Sequence, residues 1–301
     1  MCNVEDGKRK RAVVHRCTET NLSYKEKRMK ALKTILAVLM ITAFLAGTAA
    51  AQERLKLSST TSTDNTGLLA YLLPKFEART GIKVDVIAVG TGKALKLAEN
   101  GDVDVTLVHA PDAEKAFVDA GFGVNRREVM ANYFVIVGPE KDPADVGSAP
   151  SAQEAFKQIA QSGIPFVSRG DNSGTHIKEQ DIWKAVLGAL PTGKSWYLES
   201  GKGMGETLTI ADEKMGYTLS DSGSYLKYSD KLDLKMLFVK ASDLLYNPYG
   251  IIAVNPAKQP HVDYDGAMKL IAFMTSPEGQ KLIGDFKDKY GNTLFTPLAG
   301  R

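Results

Sequence analysis

The stretch "SRGDNSGTH", residues 168–176, combines residue types suited to holding a small anion. It follows an apolar, strand-like run and precedes a helical pattern, so its last residues are expected in the first turn of a helix. The backbone N–H groups of that turn are unpaired and carry a partial positive charge. Gly174 lets the backbone approach closely, Ser173 and Thr175 add hydroxyl donors, and Arg169 adds a charged fork of donors. The stretch predicts an oxyanion site; the simpler alternative is an ordinary N-cap with the arginine on the surface.

A second donor-rich stretch, "SSTTSTDNTG" (residues 58–67), follows the first strand-like run. Its hydroxyls are expected where the carboxyl edge of a sheet would lie, although a flexible turn or a helix cap explains the same residues. The stretch "VGTGK" repeats the design more weakly, with Thr91 between two glycines. It is not a Walker A loop, because Ile87 and Ala94 occupy positions that need glycine and a hydroxyl residue. Which hydroxyl of residues 58–63 faces a ligand stays open.

Other functions can be weighed on the same residues. An Arg-Gly-Asp motif serves adhesion only from an exposed loop, whereas this one follows a buried-looking strand. A phosphate-ester hydrolase using Ser62 or Ser173 would need a positioned base, yet His176 is a neighbour only in sequence, and no Gly-x-Ser-x-Gly elbow occurs. We therefore expect a binding protein rather than an enzyme, with no metal centre and no cofactor. Beyond residue 51 the histidines are widely spaced: His109, His176 and His261.

The acids near these loops bear on which oxyanion fits. Tungstate, molybdate and sulfate carry no proton at neutral pH, so donors alone can bind them, whereas monohydrogen phosphate gains from a carboxylate acceptor. Asp64 and Asp171 are the nearest acids in sequence. We expect Asp171 to pair with Arg169 or to cap the helix instead of facing the ligand, and Glu206 to lie at a helix start. The residues favour a proton-free oxyanion and do not separate tungstate from molybdate.

The first 51 residues have the features of a segment removed on export. From Met29 a positive start leads into the uncharged apolar stretch Thr34–Gly47 and a small-residue cleavage site at Ala51, as in a secretory signal peptide. The alternative is a retained membrane anchor. Residues 1–28 precede this signal and are interpreted as an upstream mis-assigned start or a removed extension. Both cysteines, Cys2 and Cys17, lie in the removed part, so we expect a periplasmic protein without disulfides.

Removal of this segment reverses the charge balance. It holds ten of the 38 Lys and Arg residues and four of the 35 Asp and Glu residues, which leaves 28 basic and 31 acidic side chains and a net charge of −3. Bulk charge therefore gives no reason to expect a nucleic-acid partner.

The elements that position these loops follow an α/β order. Strand-like runs such as "KVDVIAV" and "VDVTLVHA" alternate with short helices, which predicts mostly parallel sheets flanked by helices. Two similar runs, Asn132–Pro139 and Tyr249–Pro256, flank a long segment with its own strand–helix pattern. The simplest organisation is a two-lobed fold with a two-strand hinge. Lobe I would comprise residues 52–137 and 251–301, and an inserted lobe II residues 138–250.

Five stretches, in their order along the chain, also resemble a known family. They are "TTSTDNTGLL", "VGTGKAL", "SRGDNSGTH", "GMGETL" and "YNPYGIIAVNP". Together they resemble the tungstate-binding proteins of bacterial ABC importers (TupA type), within the class II periplasmic-binding superfamily, over essentially all of residues 52–301. Related phosphate-binding proteins share an Arg-x-x-x-Ser-Gly-Thr arrangement, which residues 169–175 match.

The resemblance implies an extracytoplasmic protein that captures tungstate between two lobes and delivers it to membrane permease subunits. The alternatives are a molybdate-, sulfate- or phosphate-binding protein of the same fold. We expect a monomer whose lobes close on the ligand. The residues that would contact the oxyanion are Thr61, Ser62 and Thr91 from lobe I, and Arg169, Ser173, Gly174 and Thr175 from lobe II.

Overall fold

The computed structural model describes Met29 and residues 54–299. Apart from Met29, the predicted signal peptide and the segment before it lie outside the described residues, so their removal stays a prediction. Within the described range, no helix is both long and apolar enough to cross a membrane.

Strands and helices alternate along most of the described chain. The strands are β1 (Arg54–Thr60), β2 (Lys83–Val89), β3 (Val105–Val108), β4 (Gly123–Gly138), β5 (Phe166–Ser168), β6 (Tyr197–Glu199), β7 (Thr218–Asp221), β8 (Lys235–Phe238), β9 (Tyr246–Val254) and β10 (Thr296–Pro297). The helices are α1 (Thr61–Asn65), α2 (Leu68–Thr80), α3 (Thr91–Asn100), α4 (Pro111–Asp119), α5 (Ala152–Ser162), α6 (Gly174–Leu187), α7 (Met204–Glu213), α8 (Ser222–Tyr228), α9 (Tyr264–Thr275) and α10 (Pro277–Asp285).

The main sheet is mixed. Its strand order is β10-β4-β9-β3-β1-β2, with β7 and β8 also paired to β4, while β5 and β6 form a separate two-stranded sheet. Strand β1 runs parallel to β2 and β3, and β5 runs parallel to β6. The α/β class is confirmed. The long strands β4 and β9 run antiparallel to each other and to their other neighbours, because each carries the chain from one half of the molecule to the other.

Buried apolar side chains form separate cores on either side of the two crossing strands. One set comes from residues 55–130 and 249–295, and we call this half the first lobe. The other set comes from residues 134–245, and we call this half the second lobe. On β4 the change of core falls between Met130 and Phe134, and near β9 it falls between Leu245 and Tyr249. The boundaries expected from the sequence, at 137/138 and 250/251, stay a prediction.

Parallel pairing places three chain turns at one edge of the first lobe. Strands β1, β2 and β3 end in the same direction, so α1, α3 and His109, which follow them, lie at their carboxyl ends. Strand β5 of the second lobe likewise ends at Ser168, and Arg169 follows it ahead of α6. The residues singled out in the sequence therefore follow strand ends in both lobes.

Candidate functional site

Arg169 is a buried cation directly after β5. Its side chain is 1% exposed, its Nε donates to the carbonyl oxygen of Lys202 at 2.9 Å, and its Nη2 pairs with Asp171. The other terminal nitrogen, Nη1, is buried and has no hydrogen-bond partner among the described residues. An unpaired charged donor is costly to bury, so this atom indicates a place where an anion binds. Its burial also makes the adhesion interpretation wrong.

The loop from β5 to α6 turns back on the arginine through two left-handed residues. Gly170 has φ = +58° and Asn172 has φ = +56°, and Asp171 lies between them. Oδ2 of Asp171 pairs with Arg169, and Oδ1 of Asp171 accepts from the backbone N–H of Ser173 at 3.1 Å. The expectation that Asp171 pairs with the arginine or caps the helix is confirmed by the pairing with Arg169, whereas the helix itself is capped by Ser173.

Helix α6 presents its first turn beside this arginine. Ser173 is its N-cap, and its Oγ accepts from the backbone N–H of His176 at 3.2 Å. A hydroxyl that accepts still has its own hydrogen to donate, so Ser173 keeps a donor. Thr175 is buried, and its Oγ1 has no partner within the part of the chain that the structure describes. Both hydroxyls lie at the positive end of the helix dipole.

Thr91 connects α6 to the first lobe. It is the first residue of α3, it is fully buried, and its Oγ1 accepts from the backbone N–H of Gly174 at 3.0 Å. Gly174 also packs on His109: a Cβ at Gly174 would lie 2.9 Å from the ring Cε1 and 3.0 Å from the carbonyl oxygen of His109. Contacts this short leave room for glycine alone, so the two lobes meet where α3 and α6 begin.

Several hydroxyls of residues 58–63 serve the fold. Ser58 donates to the carbonyl oxygen of Ala94 at 3.1 Å, and Ser59 donates to that of Leu107 at 2.8 Å, which anchors β1. Thr60 is the N-cap of α1, where its hydroxyl accepts from the backbone N–H of Thr63. The Thr63 hydroxyl is also engaged, because its Oγ1 lies 2.6 Å from Oγ1 of Thr60. Of the hydroxyls of residues 58–63, those of Thr61 and Ser62 therefore remain as candidates for a ligand contact.

Those two residues, Thr61 and Ser62, start α1. Thr61 is half-buried and lies beside the start of α7, where a Cβ at Gly203 would be 4.0 Å from its Oγ1. Ser62 is buried, and its Oγ lies 3.1 Å from Nε2 of His109. The starts of α1 and α7 thus lie next to each other, and the carbonyl of Lys202, just before α7, holds the Arg169 guanidinium.

The structure brings the predicted residues together around neighbouring helix starts. The first lobe supplies the starts of α1 and α3, and the second lobe supplies Arg169 and the start of α6. Direct contacts connect these elements across the two lobes. The residues concerned are Thr61, Ser62, Thr91, Arg169, Ser173, Gly174 and Thr175.

His109 is the residue of this region that sequence reasoning missed. It was weighed only as a metal ligand, yet it is buried between Ser62 and Asn247, with Nδ1 3.0 Å from Asn247 Oδ1. Its ring stacks on Tyr249 at a centroid distance of 4.7 Å. Burial lowers the pKa of His109, an effect that the charge of Asp221 opposes. Its position directly after β3, at the carboxyl edge of the sheet, was the available signal.

The other titratable residues near these loops have contacts of their own. The ring Nδ1 of His176 accepts from the backbone N–H of Asn172 at 3.0 Å, and its Nε2 lies 3.1 Å from Gln180, so it does not contact Ser173 Oγ through its ring. Asp64 and Glu206 are exposed, and Glu206 lies in the first turn of α7 as expected. Among the described residues, no cluster of His, Cys, Asp or Glu could hold a metal ion.

Glu179 is a buried acid on α6, close to the end of β5, the strand that precedes Arg169. Its Oε1 accepts from the Tyr197 hydroxyl at 2.8 Å, and that hydroxyl lies 3.0 Å from Ser168 Oγ. Burial raises the pKa of Glu179 to about 7 from an ordinary value of 4.5. The folded protein therefore holds a proton on Glu179 at pH values where the unfolded chain has released it.

We expect this acid to make the free energy of unfolding fall as pH rises from about 4.5 to about 7. The folded state binds the proton more tightly than the unfolded state in that window. The stabilisation that this proton gives is therefore complete below pH 4.5 and lost above pH 7, a change of about 3 kcal/mol in the free energy of unfolding. Urea denaturation of the wild type and Glu179→Gln across this range measures it. In Glu179→Gln the free energy of unfolding should fall less steeply with pH than in the wild type. Equal slopes in the two proteins would mean that other groups cause the pH dependence.

Comparison with known proteins gives consistent matches. The family model of the PBP superfamily domain matches residues 46–278. A tungstate-binding protein TupA of Peptoclostridium acidaminophilum is 42% identical over 285 residues, covering 90% of this chain and 99% of that protein. The solved structure of the tungstate ABC transporter from Geobacter sulfurreducens is 57% identical, with a TM-score of 0.72, over 78% of this chain and all of that one. The solved structure of TupA from Desulfovibrio alaskensis G20 is 51% identical, with a TM-score of 0.71, over 82% of this chain and 99% of that one.

Proposed function

We propose a transport function for this chain from the premise that it belongs to the periplasmic-binding-protein (PBP) superfamily and, within it, to the TupA family of tungstate-binding proteins. The protein captures tungstate in the cleft between its two lobes and delivers it to the membrane permease of an ABC importer. The family is one of substrate-binding transport proteins and not of enzymes.

One observation carries the proposed site. Arg169 Nη1 and Thr175 Oγ1 are buried polar atoms without partners among the described residues, and their residues lie on either side of Ser173 in the sequence. Buried donors are normally paired, so an acceptor must complete this arrangement. An oxyanion at the starts of α3 and α6 supplies acceptor oxygens to both atoms and is favoured by both helix dipoles.

The acids support a proton-free oxyanion. Both carboxylate oxygens of Asp171 are occupied, one by Arg169 and one by the backbone of Ser173, and Asp64 is exposed. We infer that neither acid is the acceptor that monohydrogen phosphate would need. Tungstate is therefore the ligand we propose, with molybdate, sulfate and phosphate as the alternatives that a binding experiment separates.

A melting screen tests this proposal with four anions at equal concentration. At a common concentration of about 100 times the tungstate dissociation constant, tungstate should raise the melting temperature by about 5 to 10 °C, and molybdate should raise it by a similar amount. Sulfate should raise it less, because its smaller tetrahedron cannot meet every donor, and phosphate least, because its proton finds no acceptor. If phosphate raised the melting temperature most, the proposed ligand would be phosphate instead of tungstate. No shift with any anion would remove the oxyanion function.

The hydrolase alternative has its own measurement. Ser62 contacts an imidazole, as a hydrolase nucleophile does. A transport protein should nevertheless show saturable one-to-one tungstate binding and no release of product from a model phosphate ester. Measurable turnover that Ser62→Ala abolishes would reinstate the enzyme.

The remaining features belong to the same proposal. We propose that the protein works in the periplasm after removal of residues 1–51, that it is a monomer, and that it needs neither metal nor cofactor. Proteins of this family act outside the cytoplasm with permease partners in the membrane, and within the described residues no helix could span a membrane.

A further inference from the structure

Buried polar side chains connect the Ser62 hydroxyl with both crossing strands. Ser62 Oγ lies 3.1 Å from His109 Nε2, and His109 Nδ1 lies 3.0 Å from Oδ1 of Asn247 on β9. Asn247 Nδ2 donates to Oδ1 of Asn132 on β4 at 2.7 Å, and Asn132 Nδ2 donates to Asp221 Oδ1 at 3.4 Å. All five residues are buried. We call this chain of contacts the polar relay.

The contacts of Asp221 determine which atom donates and which accepts in each hydrogen bond of the polar relay. Asp221 Oδ1 also accepts the capping hydrogen bond of α8, so it acts as an acceptor, and Asn132 turns its amide nitrogen toward it. The oxygen of Asn132 then faces the nitrogen of Asn247, and the oxygen of Asn247 faces His109. The His109 hydrogen is therefore on Nδ1. A neutral imidazole of this form has only a lone pair at Nε2, so Ser62 must donate its hydrogen to it.

This direction conflicts with binding a proton-free oxyanion. A serine hydroxyl has one hydrogen, and while Ser62 donates it to His109, only lone pairs of Ser62 remain for a ligand. Lone pairs repel the oxygens of tungstate. A second proton on His109, at Nε2, would reverse this contact, so that the imidazolium would donate to Ser62 Oγ. Ser62 Oγ also lies 3.0 Å from Thr60 Oγ1. With Thr60 as the donor of that contact, Ser62 has its hydrogen available for the ligand.

We propose that His109 is a positioning residue for the oxyanion and takes up one proton from solvent when a proton-free oxyanion binds, which turns the Ser62 hydroxyl toward the ligand. This inference rests on the proposed tungstate function. One bond forms, Nε2–H, and its proton is given up by a hydronium ion or a buffer acid in solution; the ring changes from neutral to cationic, and the Asn247 contact keeps its direction because Nδ1–H donates in both states.

The charges around His109 suit a proton that arrives with an anion. Burial lowers the pKa of His109, Asp221 acts to raise it, and Arg169 acts to lower it. A bound dianion offsets the arginine and adds a negative charge on the Ser62 side of the ring, which stabilises the imidazolium. Tyr249 covers one face of the ring. The cleft that His109 also lines carries three further charged residues: Asp112, Lys178 and Asp181.

Calorimetric titration with sodium tungstate counts the proton directly. Titrations at pH 7.5 should be run in PIPES and in Tris, whose ionisation enthalpies differ. The difference between the two apparent binding enthalpies, divided by the difference between the two buffer ionisation enthalpies, should correspond to about one proton taken up per tungstate. Since the bound state holds the extra proton, affinity should fall by up to about tenfold per pH unit as pH rises above the lowered pKa of His109 in the free protein. Equal enthalpies in both buffers would overturn the inference, and this result requires no variant.

Three variants assign the proton to His109. His109→Gln should bind tungstate without proton uptake and with a flat pH profile. His261→Gln is the matched control, because His261 contacts the carbonyl oxygen of Gly101 away from the site. Glu179→Gln tests the nearby buried acid, and both controls should retain the uptake. Uptake that persists in His109→Gln would overturn the inference. Tungstate binding without proton exchange would leave the proposed function intact, whereas absence of binding at every pH would remove both.

Discussion

Replacing Arg169 with alanine is expected to weaken tungstate binding by about 2 to 5 kcal/mol, roughly 30-fold to several thousand-fold. The guanidinium is buried, and its Nη1 has no partner among the described residues, so a bound oxyanion would complete its hydrogen bonds. Truncation removes that contact and also leaves Asp171 without its cation beside a dianion. Arg169→Lys should recover only part of the loss, because a point charge cannot match two oxygens.

Calorimetric titration with tungstate measures both Arg169 variants. Arg127→Ala is a suitable control, because it removes an arginine that is exposed on β4 and whose guanidinium contacts a backbone carbonyl. It should bind tungstate with wild-type affinity. Near-native affinity of Arg169→Ala would place Arg169 outside the site.

Local chemistry made most helix starts and ends predictable from sequence. The glycine after "KALKLAEN" ends α3 in a left-handed conformation, with φ = +77° at Gly101, and Pro111 starts α4. The "SRGDNSGTH" stretch begins a helix at Gly174 with Ser173 as its cap. Each of these signals acts within a few residues, so a single sequence carries it in full.

Features that depend on distant contacts were not predictable in the same way. The stretch 58–67 was expected to be a loop, because Ser, Thr, Asp and Asn favour caps and turns. Ser58 to Thr60 instead extend β1, and residues 61–65 form α1, which packs against α7 and α8 of the second lobe. Tertiary packing therefore overrides the local preference of these residues.

His109 shows the same limit within the candidate site. Its two side-chain partners, Ser62 and Asn247, lie 47 and 138 positions away in sequence. The types and spacing of Arg169, Ser173 and Thr175 were sufficient to predict donors for an anion. No local pattern could show that a buried imidazole contacts the Ser62 hydroxyl of the same site.

Gly174→Ala should affect binding through closure of the two lobes. The new Cβ would lie 2.9 Å from the His109 ring and 3.0 Å from its carbonyl oxygen, contacts that require neighbouring atoms to move. Overpacking of this kind costs about 1 to 3 kcal/mol, so tungstate affinity should fall about 5- to 150-fold. Alanine is compatible with the first turn of α6 itself, and the clash arises only where the second lobe meets the first.

Small-angle scattering and calorimetry together separate this effect from a local one. Tungstate should make the wild-type protein more compact, because its ligand groups lie on both lobes, and Gly174→Ala should show less compaction together with weaker binding. Gly92→Ala is the matched control: it lies in the first turn of α3, where an added Cβ meets no described atom within 4 Å. That variant should bind normally and gain about 0.5 to 1 kcal/mol of stability from the better helix former. Full compaction and native affinity in Gly174→Ala would mean that the lobes do not close at this glycine. An unchanged radius in the wild type, with binding confirmed, would confine the site to one lobe.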